Sequence, residues 1–202
     1  MKYCKKCILP DTRPNINFNE DGVCDACCSS EKKLNIDWRE REINFNEIVK
    51  KVKSLNKPYD CVIPVSGGKD STWQTIKALE YGLNPLCVTW KSPARNKLGQ
   101  KNLDNLIHLG VNHIDFSINE IIEKEFTLRA FKKLGSPVIP MHMALHAIPL
   151  QIAVNFEIPL IIWGENSASE YGGDDHLKGT RLNHEWLTKF GVTNGTTSVD
   201  WH

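Results

Sequence analysis

Apolar residues are thin over residues 1–30, where Cys, Asp, Asn and Pro predominate. Such a segment is too poor in aliphatic side chains to build a core of its own. Residues 31–57 are heavily charged, with apolar positions at Ile43, Phe45, Ile48, Val49, Val52 and Leu55. The later intervals of three and four predict a helix leading into a main domain. From Tyr59 the rhythm changes. "YDCVIPV" is a continuous apolar run of strand length, as in a strand buried on both faces. A helix is predicted over residues 70–81, with Gly82 as its stop. "PLCVTW" (85–90) predicts a second strand. Residues 98–109 predict a helix with Leu103, Leu106, Ile107 and Leu109 apolar, ended by Gly110. "VNHIDF" predicts a third strand, and residues 120–134 and 141–156 two more helices, the second kinked or bounded at Pro149. "PLIIWG" (159–164) predicts a fourth main strand. Strands alternating with helices at this spacing mean βαβ units and a parallel sheet. The expected organisation is a coreless module (1–30), a helical linker (31–57) and an α/β domain (58–202).

Composition narrows the classes of function. The chain has 202 residues, 41% hydrophobic and 24% charged, with a formal net charge of +1. A near-neutral balance gives no electrostatic reason to expect nucleic acid as a partner. The start, "MKYCKKCILP", has no apolar run of signal-peptide length, and no stretch approaches a membrane span. A cytoplasmic protein with no membrane partner is expected. Its seven cysteines are then thiols or metal ligands rather than disulfides.

Two motifs carry chemistry. Cys4-x2-Cys7 and Cys24-x2-Cys27 are two knuckles separated by sixteen residues, the usual arrangement of a tetrahedral four-cysteine zinc site. Zinc binding would supply the folding free energy that residues 1–30 lack, an iron–sulfur cluster being the competing occupant. Cys28 is out of register as a bystander, and Cys61 and Cys87 fall inside strands as core thiols. The second motif is Ser66-Gly67-Gly68-Lys69-Asp70-Ser71, which follows a strand and opens a helix. Two glycines let an anion approach the backbone. Successive N–H groups and the helix N-terminus cradle it, Ser66 and Ser71 donate hydroxyls, and Lys69 adds positive charge. Asp70 suits an anion site if it helps hold a cation such as Mg²⁺, or else it caps the helix.

Other candidates lie at strand ends. Trp90 closes the second strand, where main chain can receive an adenine. Arg95 and Lys97 follow it, placed either to reach phosphates or to lie in solvent. Asn102 is a weaker candidate on the next helix. "WGENSASEYGG" follows the fourth strand and puts Gly164, Glu165 and Asn166 at the sheet edge that carries the glycine loop. Asp174, Asp175 and His176 read as a charged loop before a metal or substrate site. His142 and His146 lie four apart on one helical face, with no evident third metal ligand, and are better suited to lining a cleft.

The S-G-G-x-D-S loop resembles the pyrophosphate loop of the PP-loop ATP pyrophosphatase superfamily. That resemblance implies an adenine nucleotide alpha hydrolase-like, Rossmann-like domain, here with a small zinc-ribbon-like module in front. It also implies ATP split between its α and β phosphates, Mg²⁺ held with Asp70, and Lys69 and Asp70 as catalytic residues. "YCKKCILPDTRPNINFNEDGVCDAC", then "SGGKDSTW" and "WGENSASEYGG", together resemble the N-acetyl sugar amidotransferase family of bacterial surface-polysaccharide pathways. Such enzymes convert an acetamido group of a nucleotide-activated sugar to an acetamidino group. Their ammonia comes from a glutaminase partner resembling those of histidine biosynthesis. Members of that family are longer, which leaves room for catalytic or substrate residues outside these 202. Asp11, Thr12 and Arg13 are read either as a functional contact or as packing for the cysteine module. The alternatives are a tRNA-thiolating enzyme, disfavoured by the absence of cysteine after Cys87, and a non-catalytic nucleotide-binding module.

Overall fold

The computed structural model describes residues 1–12, 16–165, 187 and 196–201. These fall into two compact units, one containing Met1–Arg41 and one containing Glu42–Gly164 with residues 196–201. The first unit is held by short backbone contacts around its cysteines, and its one helix of more than a single turn before the linker is α1 (Asp25–Lys32). Cys24 caps that helix: its sulfur accepts from the N–H of Cys27. Lys6 on the first knuckle pairs with Glu31 on α1. The chain passes to the second unit along α2 (Trp38–Ser54), whose Val49 and Val52 are buried.

The second unit is α/β, as its alternating rhythm predicts. β1 (Cys61–Pro64), β2 (Pro85–Trp90) and β3 (Asn112–Phe116) form a parallel sheet in the order β1-β2-β3. Connecting them are α3 (Lys69–Glu80) and α4 (Lys97–Ile107), followed by α5 (Glu120–Leu134) and α6 (Ile139–Asn155). The first three predicted strands and the predicted helices are present, with two corrections to the expected pattern. "PLIIWG" makes a single parallel bridge, Val62 with Ile161, and is no extended strand. Val62 donates to Leu160 O at 2.9 Å and its carbonyl accepts from Ile162 N at 3.0 Å. β1 spans four residues, and this one residue supplies both bonds of the bridge. The bridge still lies on the side of β1 away from β2. Strand order therefore reverses at β1. A second correction concerns α6, which runs on through Pro149 to Asn155, so Pro149 is not its boundary.

Side chains alternate across the sheet and both faces are covered, as a parallel sheet requires. Cys61, Ile63, Val65 and Cys87 pack with Val49, Val52, Ala78, Leu103 and Leu106 from α2, α3 and α4. Val62, Leu86 and Val88 pack on the other face with Ala144, Ile148, Ile152 and Ala153 of α6. Burial pushes the core thiols up, Cys61 to about 12 with Asp60 and Cys87 adding to it, and Cys87 to about 11. Both are therefore thiols at neutral pH. Among the described residues no helix is long and apolar enough to cross a membrane.

Candidate functional site

The glycine loop leaves β1 at the point where its neighbours lie on opposite sides, Ile161 on one and β2 on the other. Open α/β sheets bind ligands at such a reversal, beyond the carboxyl ends of the strands. The loop is organised by its own hydroxyls. Ser71 Oγ accepts from Ser66 N at 3.3 Å and donates to Gly68 O at 3.2 Å. Ser66 Oγ accepts from Gly68 N at 3.3 Å. α3 then starts with no side-chain cap: its N-cap is Gly68, and its first main-chain bond is Thr72 N to Gly68 O at 3.0 Å. The N–H groups of Lys69, Asp70 and Ser71 precede that first bond and have no partner within the helix. They lie at the positive end of the helix dipole, a position that favours negative charge.

The two glycines have different reasons for being glycine. Gly67 sits at φ +76, and a Cβ there would lie 2.6 Å from Leu103 N and 2.8 Å from Leu103 Cα. Its bare Cα is required by the backbone of α4 seated against it, not by a ligand. Gly68 has an ordinary extended conformation, and a Cβ there would meet only Ser66 Oγ, at 3.2 Å. Gly68 is thus the glycine that leaves room for an approaching anion. Lys69 and Asp70 are the charged members, 92% and 77% exposed at the side chain, with Lys69 Nζ 3.9 Å from Asp70 Oδ1. Both are unencumbered by the fold and available to a ligand. One exposed carboxylate beside an anion cradle is the donor set Mg²⁺ uses when substrate phosphates and water complete its shell.

The other predicted positions separate. Trp90 ends β2, but its side chain packs on the α6 face of the sheet. Arg95 is committed elsewhere: its guanidinium grips Asp115 in a two-pronged pair, 2.7 Å on each arm, and reaches Gln100 at 3.1 Å. Asp115 raises the guanidinium's pKa further, and Arg95 holds the Asp115 carboxyl below its ordinary value. Lys97 opens α4 and is exposed. Asn102 lies in α4, its backbone against Gly67. Gly164 lies against the Gln74 amide, with a Cβ there 3.1 Å from Oε1, and Gln74 donates to Ile162 O at 2.8 Å. Glu165 is exposed. Asn166, Asp174, Asp175, His176 and Arg13 lie outside the described residues. Asp11 and Thr12 are exposed. His146 stacks on Trp163 with ring centres 5.1 Å apart, and its Nδ1 lies 3.2 Å from His142 O.

Pattern reading missed three polar residues of this region. Thr89 and Gln74 are buried in the midst of apolar elements. Glu123, in the first turn of α5, is also buried, and burial pushes its carboxyl up, partly offset by the indole of Trp90. Each reads in the sequence as an ordinary strand or helix-surface residue, and only the packing distinguishes it.

In the first unit the four knuckle sulfurs converge. All lie within 4.8 Å of one another, Cys4 to Cys27 at 3.9 Å and Cys7 to Cys24 at 3.6 Å. A tetrahedral Zn–S₄ centre with bonds of about 2.3 Å requires S···S separations of about 3.8 Å. The donor set and its spacing therefore fit zinc. Cys4 Sγ also accepts from Cys24 N at 3.3 Å, Lys6 N at 3.3 Å and Cys7 N at 3.5 Å. Burial pushes the Cys4 thiol up, but these N–H donors outweigh it and bring it down to about 6. Cys28 stays outside the cluster, within reach of the Asn19 amide at 3.8 Å.

A Rossmann-like parallel sheet with an uncapped, glycine-opened helix at its strand-order reversal places the chain in the class of open α/β domains. No protein-family model matches the chain, and no curated protein matches its sequence. Among solved structures it resembles the NH3-dependent NAD synthetase of Campylobacter jejuni, at 19% identity and a TM-score of 0.50. The likeness covers 68% of this chain and 62% of that one, so the chain spans less than two thirds of the synthetase. More distant matches are the NMN synthetase of Francisella tularensis (15% identity, TM-score 0.41, 77% and 95% covered) and a Methanocaldococcus jannaschii protein. The latter is described as a predicted subunit of tRNA methyltransferase (20% identity, TM-score 0.41, 65% and 62% covered). The likeness to the synthetase, at 19% identity, is one of fold alone.

Proposed function

We propose that the chain is an ATP-dependent, AMP-forming amidotransferase. Its substrate is the acetamido group of a nucleotide-activated sugar, which it converts to an acetamidino group. The observation that carries the reading is the uncapped N-terminus of α3 behind Gly68, with Lys69 and Asp70 free beside it. The loop has what a departing pyrophosphate requires: unpartnered N–H groups, a cation and a carboxylate. The resolved relative is described as NH3-dependent, which agrees with ammonia as the nucleophile. The motif resemblance to sugar amidotransferases supplies the sugar and the glutaminase partner.

An amide carbon is a poor electrophile. In the proposed reaction the amide oxygen attacks the α-phosphorus of ATP, the α–β bridging bond breaks and pyrophosphate leaves. Ammonia then adds to the activated carbon, and AMP departs with the former amide oxygen. Gly68 and the N–H groups of Lys69, Asp70 and Ser71 receive the pyrophosphate, Lys69 opposes its charge, and Ser66 and Ser71 keep the loop in shape. Mg²⁺ held with Asp70 supplies charge neutralisation at the phosphates. Zinc held by Cys4, Cys7, Cys24 and Cys27 has a structural role, since all four positions of a tetrahedral ion are taken by thiolates.

The test is to incubate the chain with ATP, Mg²⁺, ammonium and a panel of nucleotide-linked diacetamido sugars. AMP, pyrophosphate and the mass of the sugar are followed. Replacement of =O by =NH lowers the sugar's mass by about one unit, and AMP is expected in equal amount. AMP formed without any change in a sugar would remove the proposed substrate, and no AMP under any condition would remove the ATP reaction.

A further inference from the structure

The peptide group that leads into the glycine loop is clamped at both ends. Val65 C=O and Ser66 N–H belong to one planar unit. Ser71 Oγ takes the N–H at 3.3 Å, and Thr89 Oγ1 donates to the C=O at 2.7 Å. The preceding Val65 N–H is bonded to Val88 O at 2.9 Å, so Val65 is held at both its N–H and its C=O. Thr89 is not part of the glycine motif. It lies on β2, on the sheet face that α3 and α4 cover, and is 7% exposed.

A hydroxyl has one proton, and Thr89 spends it on Val65. The Thr89 oxygen is therefore the acceptor for His113 Nε2, 2.9 Å away on β3. That bond removes the hydroxyl's rotational freedom and aims its proton at the carbonyl. His113 shares its strand face with Asp115, which is itself fixed by Arg95. The sequence of contacts runs from Arg95 and Asp115, through the strand that also carries His113, to Thr89, Val65 and the loop. Gly67, next but one to Val65, needs φ +76 to lie against the α4 backbone, and a rotated Val65–Ser66 peptide would not deliver the chain there.

We propose that Thr89, oriented by His113, is a positioning residue for the phosphate-binding loop: it fixes the Val65–Ser66 peptide so that the N–H groups behind Gly68 converge on the pyrophosphate moiety of a nucleoside triphosphate. The inference rests on the ATP reading above. It adds that the loop is preorganised by a residue of the neighbouring strand, outside the motif. Preorganised donors cost no reorganisation on binding, and a loop freed at its entry loses that advantage.

The experiment compares Thr89→Val and Thr89→Ser with the wild-type chain. Mg²⁺-pyrophosphate binding is read by calorimetry and thermal stability is read without ligand. Valine keeps the shape and loses the hydroxyl, whereas serine keeps it. Pyrophosphate is expected to bind about tenfold more weakly to Thr89→Val, the effect of about one hydrogen bond, and within about twofold of wild type to Thr89→Ser. Wild-type affinity in a folded Thr89→Val chain overturns the inference and leaves the ATP reading standing. If the valine variant does not fold, His113→Ala carries the test: it leaves Thr89 its bond to Val65 but frees the rotor. A loss of about threefold is then expected, and wild-type affinity again overturns the proposal. A wild-type chain that binds no pyrophosphate overturns the ATP reading and the inference with it.

Discussion

Gly67 and Gly68 are adjacent in the chain and opposite in their constraints. Gly67→Ala places a Cβ at 2.6 Å from Leu103 N and in a left-handed conformation. The strain and the displacement of α4 together are expected to cost about 3 kcal/mol of stability, read as a lowered denaturation midpoint. Gly68→Ala has neither problem. Its stability is expected to stay within about 1 kcal/mol of wild type, the ordinary scale of a surface change, while nucleotide affinity falls. Equal destabilisation of the two variants would contradict the division of roles. The motif in the sequence shows that two glycines precede Lys69. It does not show that one of them answers to Leu103, because that contact exists only once α4 has folded back along β1. Arg95 shows the same limit. Next to Lys97 it reads as a spare cation, and only the fold brings Asp115 within 2.7 Å of it.

At the scale of elements the hydrophobic rhythm is a sufficient guide to β1, β2, β3, α2, α3, α4 and α6, whose apolar residues pack into or against the two cores; α5 is also present as predicted, although its buried residues are Glu123 and Ala130. The rhythm fails where local polar geometry takes over. α1 has no buried residue and no apolar stripe to announce it. It begins because Cys24 caps it, and the sulfur cluster holds it. The apolar run at 159–164 reads as a strand because Ile161 and Ile162 pack on both faces of the sheet, yet it has one bridge with β1. The cysteine spacing, by contrast, is a sufficient guide to the cluster, since four thiols with that spacing converge to separations that fit zinc. One zinc per chain is expected by elemental analysis. Removing it with a strong chelator is expected to expose residues 1–41 to proteolysis, because among the described residues of this stretch the buried apolar side chains are the metal-ligand cysteines Cys4 and Cys24. A protein that carries no metal and resists proteolysis over these residues equally with and without chelator would contradict a structural metal.

In the second unit the sheet has two packed faces, and the loop lies beyond the carboxyl end of β1, at the strand-order reversal. Stability and chemistry are thereby separated. The core residues are shielded on both faces, while Lys69 and Asp70 stand almost fully in solvent and contribute little to folding. That separation makes the central claim directly testable. The rate of AMP release from ATP with Mg²⁺, ammonium and the amide-bearing sugar should be measured for the wild-type chain and for Asp70→Ala, alongside their melting temperatures. AMP release is expected from the wild type, with a fall of about a hundredfold in the variant and an unchanged melting temperature. AMP release at the wild-type rate from Asp70→Ala would contradict the claim.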